Sequence, residues 1–173
     1  MAAIINRAAP DFTLHDLAGT PHTLSTQRGL TLVVNFWSAE CPWSRRADAI
    51  LSYRLAAWSG QGVVIWGIAS NASEPESEIR AEMDSRRTPY PVLLDPGNAV
   101  ADLYGAISTP HFYLVDREGI VRYAGALDDA TFRTREPKTF YLDNAINAVL
   151  AGRLPDPAET SAYGCAIVRV IGA

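Results

Sequence analysis

An α/β domain built on a mainly parallel central sheet is what this sequence predicts, on three observations. Two near-continuous apolar runs of strand-type residues, at 31–37 and 63–69, have the character of strands buried on both faces of a sheet. Between them Ala47, Ile50, Leu51, Leu55 and Trp58 recur at helical spacing, giving a strand-helix-strand unit whose crossover should be right-handed. Farther on, Leu142, Ala145, Ile146, Val149 and Leu150 mark an amphipathic helix over 140–151. Gly152 and Pro155 end it, and it is expected to close the far face of the sheet. A length of 173 residues with 48% hydrophobic composition fits one domain with a full core.

Taken in order, residues 9–30 read as a hairpin covering one sheet edge, with Phe12 and Leu14 alternating and Gly19 in the turn before Thr23, Leu24 and Ser25. His15 and His22 have no cysteine placed beside them and read as surface residues. Strand 31–37 is central, and the short link 38–40 leads from it to Cys41. Pro42 suits the first helical position, where its missing N–H costs nothing, so Cys41 falls at the helix N-cap. After strand 63–69, Ser73 and Glu76 have capping-box spacing, with Pro75 inside the first turn of a mostly exposed helix reaching about residue 87. Its apolar positions are Ile79 and Met83, and Arg86 and Arg87 complement the dipole at its end. A short buried segment at 91–95, a short helix carrying Val100, Leu103 and Tyr104, and a hairpin of strands 111–116 and 120–125 complete the body. The domain spans 1–153; the tail, 154–173, is Pro-rich, then strand-like over AIVRVI, and carries Cys165.

Cys41 is the candidate nucleophile. A thiolate at the N-cap meets unpaired backbone N–H groups and the positive end of the helix dipole, worth roughly 0.3–1 kcal/mol. Arg45 and Arg46 add positive charge in the first turn, and Glu40 opposes it. One pKa unit is about 1.4 kcal/mol, so effects of this order lower a thiol from its free value near ~8.5 toward neutrality. A lone cysteine is most often an inert buried residue; Pro42 and the strand-to-helix setting make this one reactive.

The segment NFWSAECPWSRR resembles the active site of the thioredoxin-like superfamily, where strand, Trp, Cys-Pro and helix follow in that order. Asn35 stands where thioredoxin carries a buried acid. Ser44 departs from the Cys-X-X-Cys pattern, so no second thiol lies one helical turn away. APDFTL, followed by a turn and a Leu-Ser pair, resembles the N-terminal extension of the alkyl hydroperoxide reductase C/thiol-specific antioxidant group. TPHFYLVDREGIVRYAGALDD, the helix ending LAG and the YGCAI tail resemble the peroxiredoxin-like redoxins, which commonly end in Gly-Cys-X-Ile; Ala166 and Val168 depart from the usual Ser and Lys.

This resemblance implies a thioredoxin-like fold: a central mixed sheet flanked by helices, with an N-terminal β-hairpin extension and an extended C-terminal tail. It implies a cis Thr109-Pro110 bond exposing the Thr109 backbone beside Cys41, where a peptide or glutathione would dock by strand addition. Trp43, Thr109 and Pro110 are then substrate-binding residues, and Ser38, Pro42, Ser44 and Arg45 surround and tune the thiol. His111 either faces the cysteine and takes its proton or simply starts a strand, since alternation alone does not fix its face.

The implied activity is that of a thiol-dependent oxidoreductase. Thiol-disulfide exchange ranks first, with Cys41 attacking and Cys165 or an external thiol resolving. The two cysteines are 124 positions apart, a loop costing roughly 4–5 kcal/mol to close in the open chain, so folding must bring them together. Peroxide reduction is the alternative. Ser38 lies three before Cys41, as a hydroxyl residue does in peroxiredoxins. Against that, Val34 replaces their proline, and Thr109-Pro110 occupies the region of their peroxide-orienting arginine. A non-catalytic module binding an extended segment at Thr109-Pro110 is the third reading.

Expected partners are a thiol or disulfide protein, glutathione, or a peroxide. A net charge of −4 and a pI near 5.3 argue against general attraction to nucleic acid or anionic membrane. No run of ~18 apolar residues occurs and MAAIINRAAPDF lacks a signal-peptide pattern, so a cytoplasmic location is expected. Two cysteines make no disulfide framework, and neither has a second ligand at zinc-finger spacing; neither a metal nor an organic cofactor is expected.

Overall fold

The computed structural model describes residues 3–172. Strand β1 (Thr13–Asp16) pairs antiparallel with β2 (Pro21–Thr23), and every residue of β3 (Thr31–Trp37) is buried. β3 runs parallel to β4 (Val63–Ala69), from Thr31 opposite Val63 to Trp37 opposite Ala69, and β4 runs parallel to β5 (Val92–Leu94). On its other side β3 is antiparallel to β7 (His111–Val115), which turns back into β8 (Val121–Gly125). The order β2-β1-β5-β4-β3-β7-β8 makes one mixed seven-stranded sheet whose N-terminal hairpin covers one edge, as the resemblance implied. Two further strands, β6 (Ser108–Thr109) and β9 (Cys165–Ala166), form a separate antiparallel ladder.

Alternation along the strands sends Val33, Trp37, Ile65, Phe112, Leu114 and Tyr123 to one face. There they meet Ala47, Leu51 and Trp58 of α1 (Pro42–Ser59), Ile79 of α2 (Glu76–Arg86), and Leu142, Ala145 and Ile146 of α4 (Tyr141–Leu150). The opposite face carries Leu32, Val34, Phe36, Trp66, Ile68 and Tyr113 against α3 (Ala99–Tyr104), Phe12, Leu14, Leu24 and, from the tail, Ile167. The α4 helix therefore shares a face with α1 instead of closing the far one. The far face is already filled, with Tyr104 edge-on to Phe12 and Tyr113 and tilted against Phe36.

Four local expectations are corrected. Ser73 and Glu76 form no capping box: Pro75 is the extended N-cap of α2, without a side-chain cap. A residue before proline is held extended, so the helix begins only at Glu76. His22 is half-buried, 2.9 Å from Asp16 and edge-on to Trp66, because the β1–β2 turn brings an acid that sequence distance hid. Arg86 is buried beneath the sheet end, whereas Arg87 forms the left-handed C-cap. The AIVRVI run pairs only at β9; Ile167 is buried while Val168, Val170 and Ile171 are exposed. Among the described residues no helix is long and apolar enough to cross a membrane.

Candidate active site

The C-terminal end of β3 delivers Trp37, and a tight turn places Cys41 as the extended N-cap of α1 with Pro42 as its first residue. One buried carboxylate holds this turn. Glu74 accepts the Ser38 hydroxyl, the N–H groups of Ala39 and Glu40 at 3.0 Å each, and the Asn71 amide at 3.0 Å. Ser38 Oγ in turn accepts the Cys41 N–H at 3.2 Å, and Ser44 Oγ accepts the Ser38 N–H at 3.2 Å. Ser38 and Ser44 thus shape the backbone that carries the thiol.

Beneath the turn, Trp37 Nε1 donates to Asp48 at 2.8 Å and the Arg86 guanidinium lies 4.8 Å over the Trp37 ring. Arg86 also pairs with Asp48 at 3.2 Å and donates to the Ala39 carbonyl, so this buried cation is compensated on several sides. Tyr90 donates to Asp48 and accepts from Asn35; burial, reinforced by the Asp48 charge, holds its phenol well above the usual range. Asn35 leaves the interior position uncharged, and the neighbouring acid, Asp48, is neutralised by Arg86.

The tail supplies the second sulfur. β9 pairs with β6 so that Thr109 lies opposite Cys165. The Ile167 N–H donates to the Ile107 carbonyl at 3.0 Å, the Val168 N–H to Asn71 Oδ1 at 2.7 Å, and the Val170 N–H to Asn98 Oδ1 at 2.8 Å. Cys41 Sγ is 2.7 Å from Cys165 Sγ and 3.1 Å from the Thr109 carbonyl oxygen. A separation of 124 positions is closed by two strand residues and a handful of side-chain anchors. The Thr109-Pro110 bond is cis. Its expected consequence is not met, however: the Thr109 backbone is not open to a partner, because unpaired strand edges recruit strands and here the chain's own tail has taken the place.

Burial alone would raise the Cys41 thiol, which is only 2% exposed, but the contact with Cys165, the N–H groups of Ser44 and Cys165, and Thr109 outweigh it and hold Cys41 below the ordinary thiol value. Cys165 moves the other way, pushed up to about 12 by burial, by its contact with Cys41 and by the Glu74 charge. Within the pair, Cys41 is thus the sulfur that ionises more readily and Cys165 the one that stays protonated.

Other expected contributors lie elsewhere. Arg45 reaches Glu82 at 2.6 Å and is 55% exposed, and Arg46 binds Asp128 at 2.7 Å; both charges are met by carboxylates away from the sulfur. His111 stacks on Tyr113 at 4.7 Å with Nδ1 buried and unpartnered, and burial lowers it to about 4; Cys41 finds its partners on other elements. Trp43 is half-buried, edge-on to Tyr163 at 4.9 Å. Sequence reasoning did not single out Glu74, Asn71, Asp48 or Tyr163. For Arg86 a signal exists: it lies seven after Ile79 and three after Met83, on their buried stripe.

A model of the AhpC/TSA family matches residues 5–124. The chain is 30% identical over 121 residues to the thiol-disulfide oxidoreductase ResA of Geobacillus thermodenitrificans, covering 70% of this chain and 68% of that protein. Among solved structures, a hypothetical protein from Sinorhizobium meliloti 1021 is similar with a TM-score of 0.89 at 30% identity, covering 99% of this chain and 98% of the other. An uncharacterized conserved protein from Geobacillus kaustophilus gives 0.87 at 27%, covering 98% and 94%.

Proposed function

We propose that this chain, which belongs to the AhpC/TSA family, is a thiol-disulfide oxidoreductase in which Cys41 attacks and Cys165 resolves. The observation that carries this reading is the 2.7 Å between the two sulfurs. The Cys41 thiolate attacks one sulfur of a substrate disulfide; a Cys41–substrate bond forms, the substrate disulfide breaks, and the departing thiolate takes a proton. Cys165 then loses its proton and attacks Cys41 Sγ, forming the Cys41–Cys165 disulfide and releasing the second substrate thiolate. Two electrons pass from the protein's dithiol to the substrate, and an external dithiol reductant restores the pair. Because the tail covers both Cys41 and the Thr109 edge, residues 164–167 lift before a bulky disulfide is attacked and reseat to resolve it.

The 30% identical relative named as a thiol-disulfide oxidoreductase supports exchange. Peroxide reduction is disfavoured because Arg45, Arg46 and Arg86 are all bound to carboxylates, leaving none of them to orient a peroxide at Cys41. The test is mild oxidation followed by peptide mass mapping, with alkylation across pH. A Cys41–Cys165 link is expected, with Cys41 alkylated below the pH at which ordinary thiols react. Cys165→Ser should accumulate the mixed disulfide that Cys41→Ser cannot form. Absence of the intramolecular link, or full turnover by Cys165→Ser without added thiol, would remove Cys165 from the mechanism.

A further inference from the structure

Beside the N-terminus of α1 lies a cavity of about 370 Å³ lined by Pro42, Trp43, Arg46, Phe132 and Arg135. Two of its lining residues are aromatic, and Phe132, which shares the cavity with Pro42, the residue after Cys41, is 72% exposed, an unusual placement for a phenyl ring. The walls are tied to the tail: Tyr163, two residues before Cys165, packs edge-on against Trp43 and accepts the Phe132 N–H at 2.8 Å. Two guanidinium groups rim the cavity, Arg46 at 5.9 Å from the Trp43 ring and Arg135 at 5.9 Å from the Phe132 ring. Arg46 is held by Asp128, whereas Arg135 has no carboxylate partner among the described residues. Residues 131–140 carry Arg133, Arg135 and Lys138 against Glu136, in a chain whose net charge is −4. A local cationic rim on an apolar floor, in a protein acidic overall, selects its occupant by charge as well as by shape.

We propose that this groove docks an acidic segment of a disulfide-bearing protein, which seats one apolar side chain against Trp43 and Phe132 and sets its carboxylates against Arg135. The proposal rests on the oxidoreductase reading above and names the substrate class. With the Thr109 edge occupied by the tail, the groove, which begins at Pro42 directly after Cys41, offers an open surface on which a substrate can settle first. Because Tyr163 packs edge-on against the Trp43 that lines the groove, a segment settling there lies beside the base of the tail that must lift.

The test uses the full chain, reduced, with two peptides that share a leucine beside a cysteine held as a mixed disulfide, one flanked by glutamates and the other by lysines. Hydroxyethyl disulfide serves as a small neutral substrate, and binding is read separately by Trp fluorescence with peptides whose cysteine is serine. The acidic peptide should be preferred about tenfold in both binding and kcat/KM, the preference collapsing in about 1 M salt, where the Debye length is about 3 Å. Arg135→Glu should reverse the preference, and Phe132→Ser should raise KM for both peptides. Equal binding of the two peptides, preference for the basic one, or an unchanged ratio in Arg135→Glu would overturn the proposal. Failure to reduce hydroxyethyl disulfide counts instead against the oxidoreductase reading, and the fluorescence titration still decides the groove.

Discussion

Replacing Gly164 by alanine should unseat the tail and separate the two sulfurs. A Cβ on Gly164 would stand 1.8 Å from the Thr109 carbonyl oxygen, 2.6 Å from its carbon and 3.1 Å from Pro110 Cδ. The first two are backbone atoms at the base of β6 and cannot swing aside as a side-chain tip would. The strands must part by more than an ångström, which ends the pairing of Ser108 and Thr109 with β9 and the Ile167 to Ile107 hydrogen bond. At about 1 kcal/mol for each hydrogen bond, the loss is on the order of 3 kcal/mol. With tenfold per 1.4 kcal/mol, the ratio of seated to unseated tail falls about a hundredfold. Diamide oxidation followed by fluorescence of Trp43 and by mass mapping should show the Cys41–Cys165 disulfide forming slower by that order. Cys41 should meanwhile become accessible to a bulky maleimide. The body should unfold nearly as before, since among the described residues the tail contributes only Ile167 to the two buried clusters. Wild-type disulfide formation in Gly164→Ala, with Cys41 still protected, would refute the reasoning.

Two further outcomes follow from buried ionisable groups. Glu74→Ala strips the acceptor from Ser38, Ala39, Glu40 and Asn71 at once. At about 1–3 kcal/mol for each donor left buried and unpaired, partly offset by entering water, urea denaturation should show a loss of about 3 kcal/mol; a loss below about 1 would mean that the turn is held by other contacts. His111 sits at about 4 in the fold against an ordinary 6.5, because burial disfavours the charged ring. The unfolded chain therefore takes up a proton that the native ring refuses. The His111 contribution is complete above pH 6.5 and is lost as pH falls through about 4, amounting to about 3 kcal/mol at most. His111→Phe, which keeps a ring on Tyr113, should flatten the stability profile across that window, and parallel profiles for the two proteins would dismiss the assignment.

Sequence alone determined the elements whose burial imposes a period. β3 and β4 are legible because strands covered on both faces need unbroken apolar runs, and α1 and α4 because one buried stripe repeats every three to four residues. The N-cap position of Cys41 is legible because Pro42 suits only the first turn there. Where two local rules competed, the tertiary answer was needed: Ser73 and Glu76 have capping spacing, yet Pro75 keeps the chain extended between them and frees Glu74 to fold back across 35 positions onto the Cys41 turn. The face chosen by α4, the acid beside His22 and the compensation of Arg86 likewise depend on which elements become neighbours. The sequence singled out Cys41 as the candidate nucleophile, but the sulfur that lies beside it is set by the β6–β9 register, a pairing across more than fifty residues with no periodic trace. Only the folded chain, having already met the entropy of closing that loop, places Cys165 against Cys41.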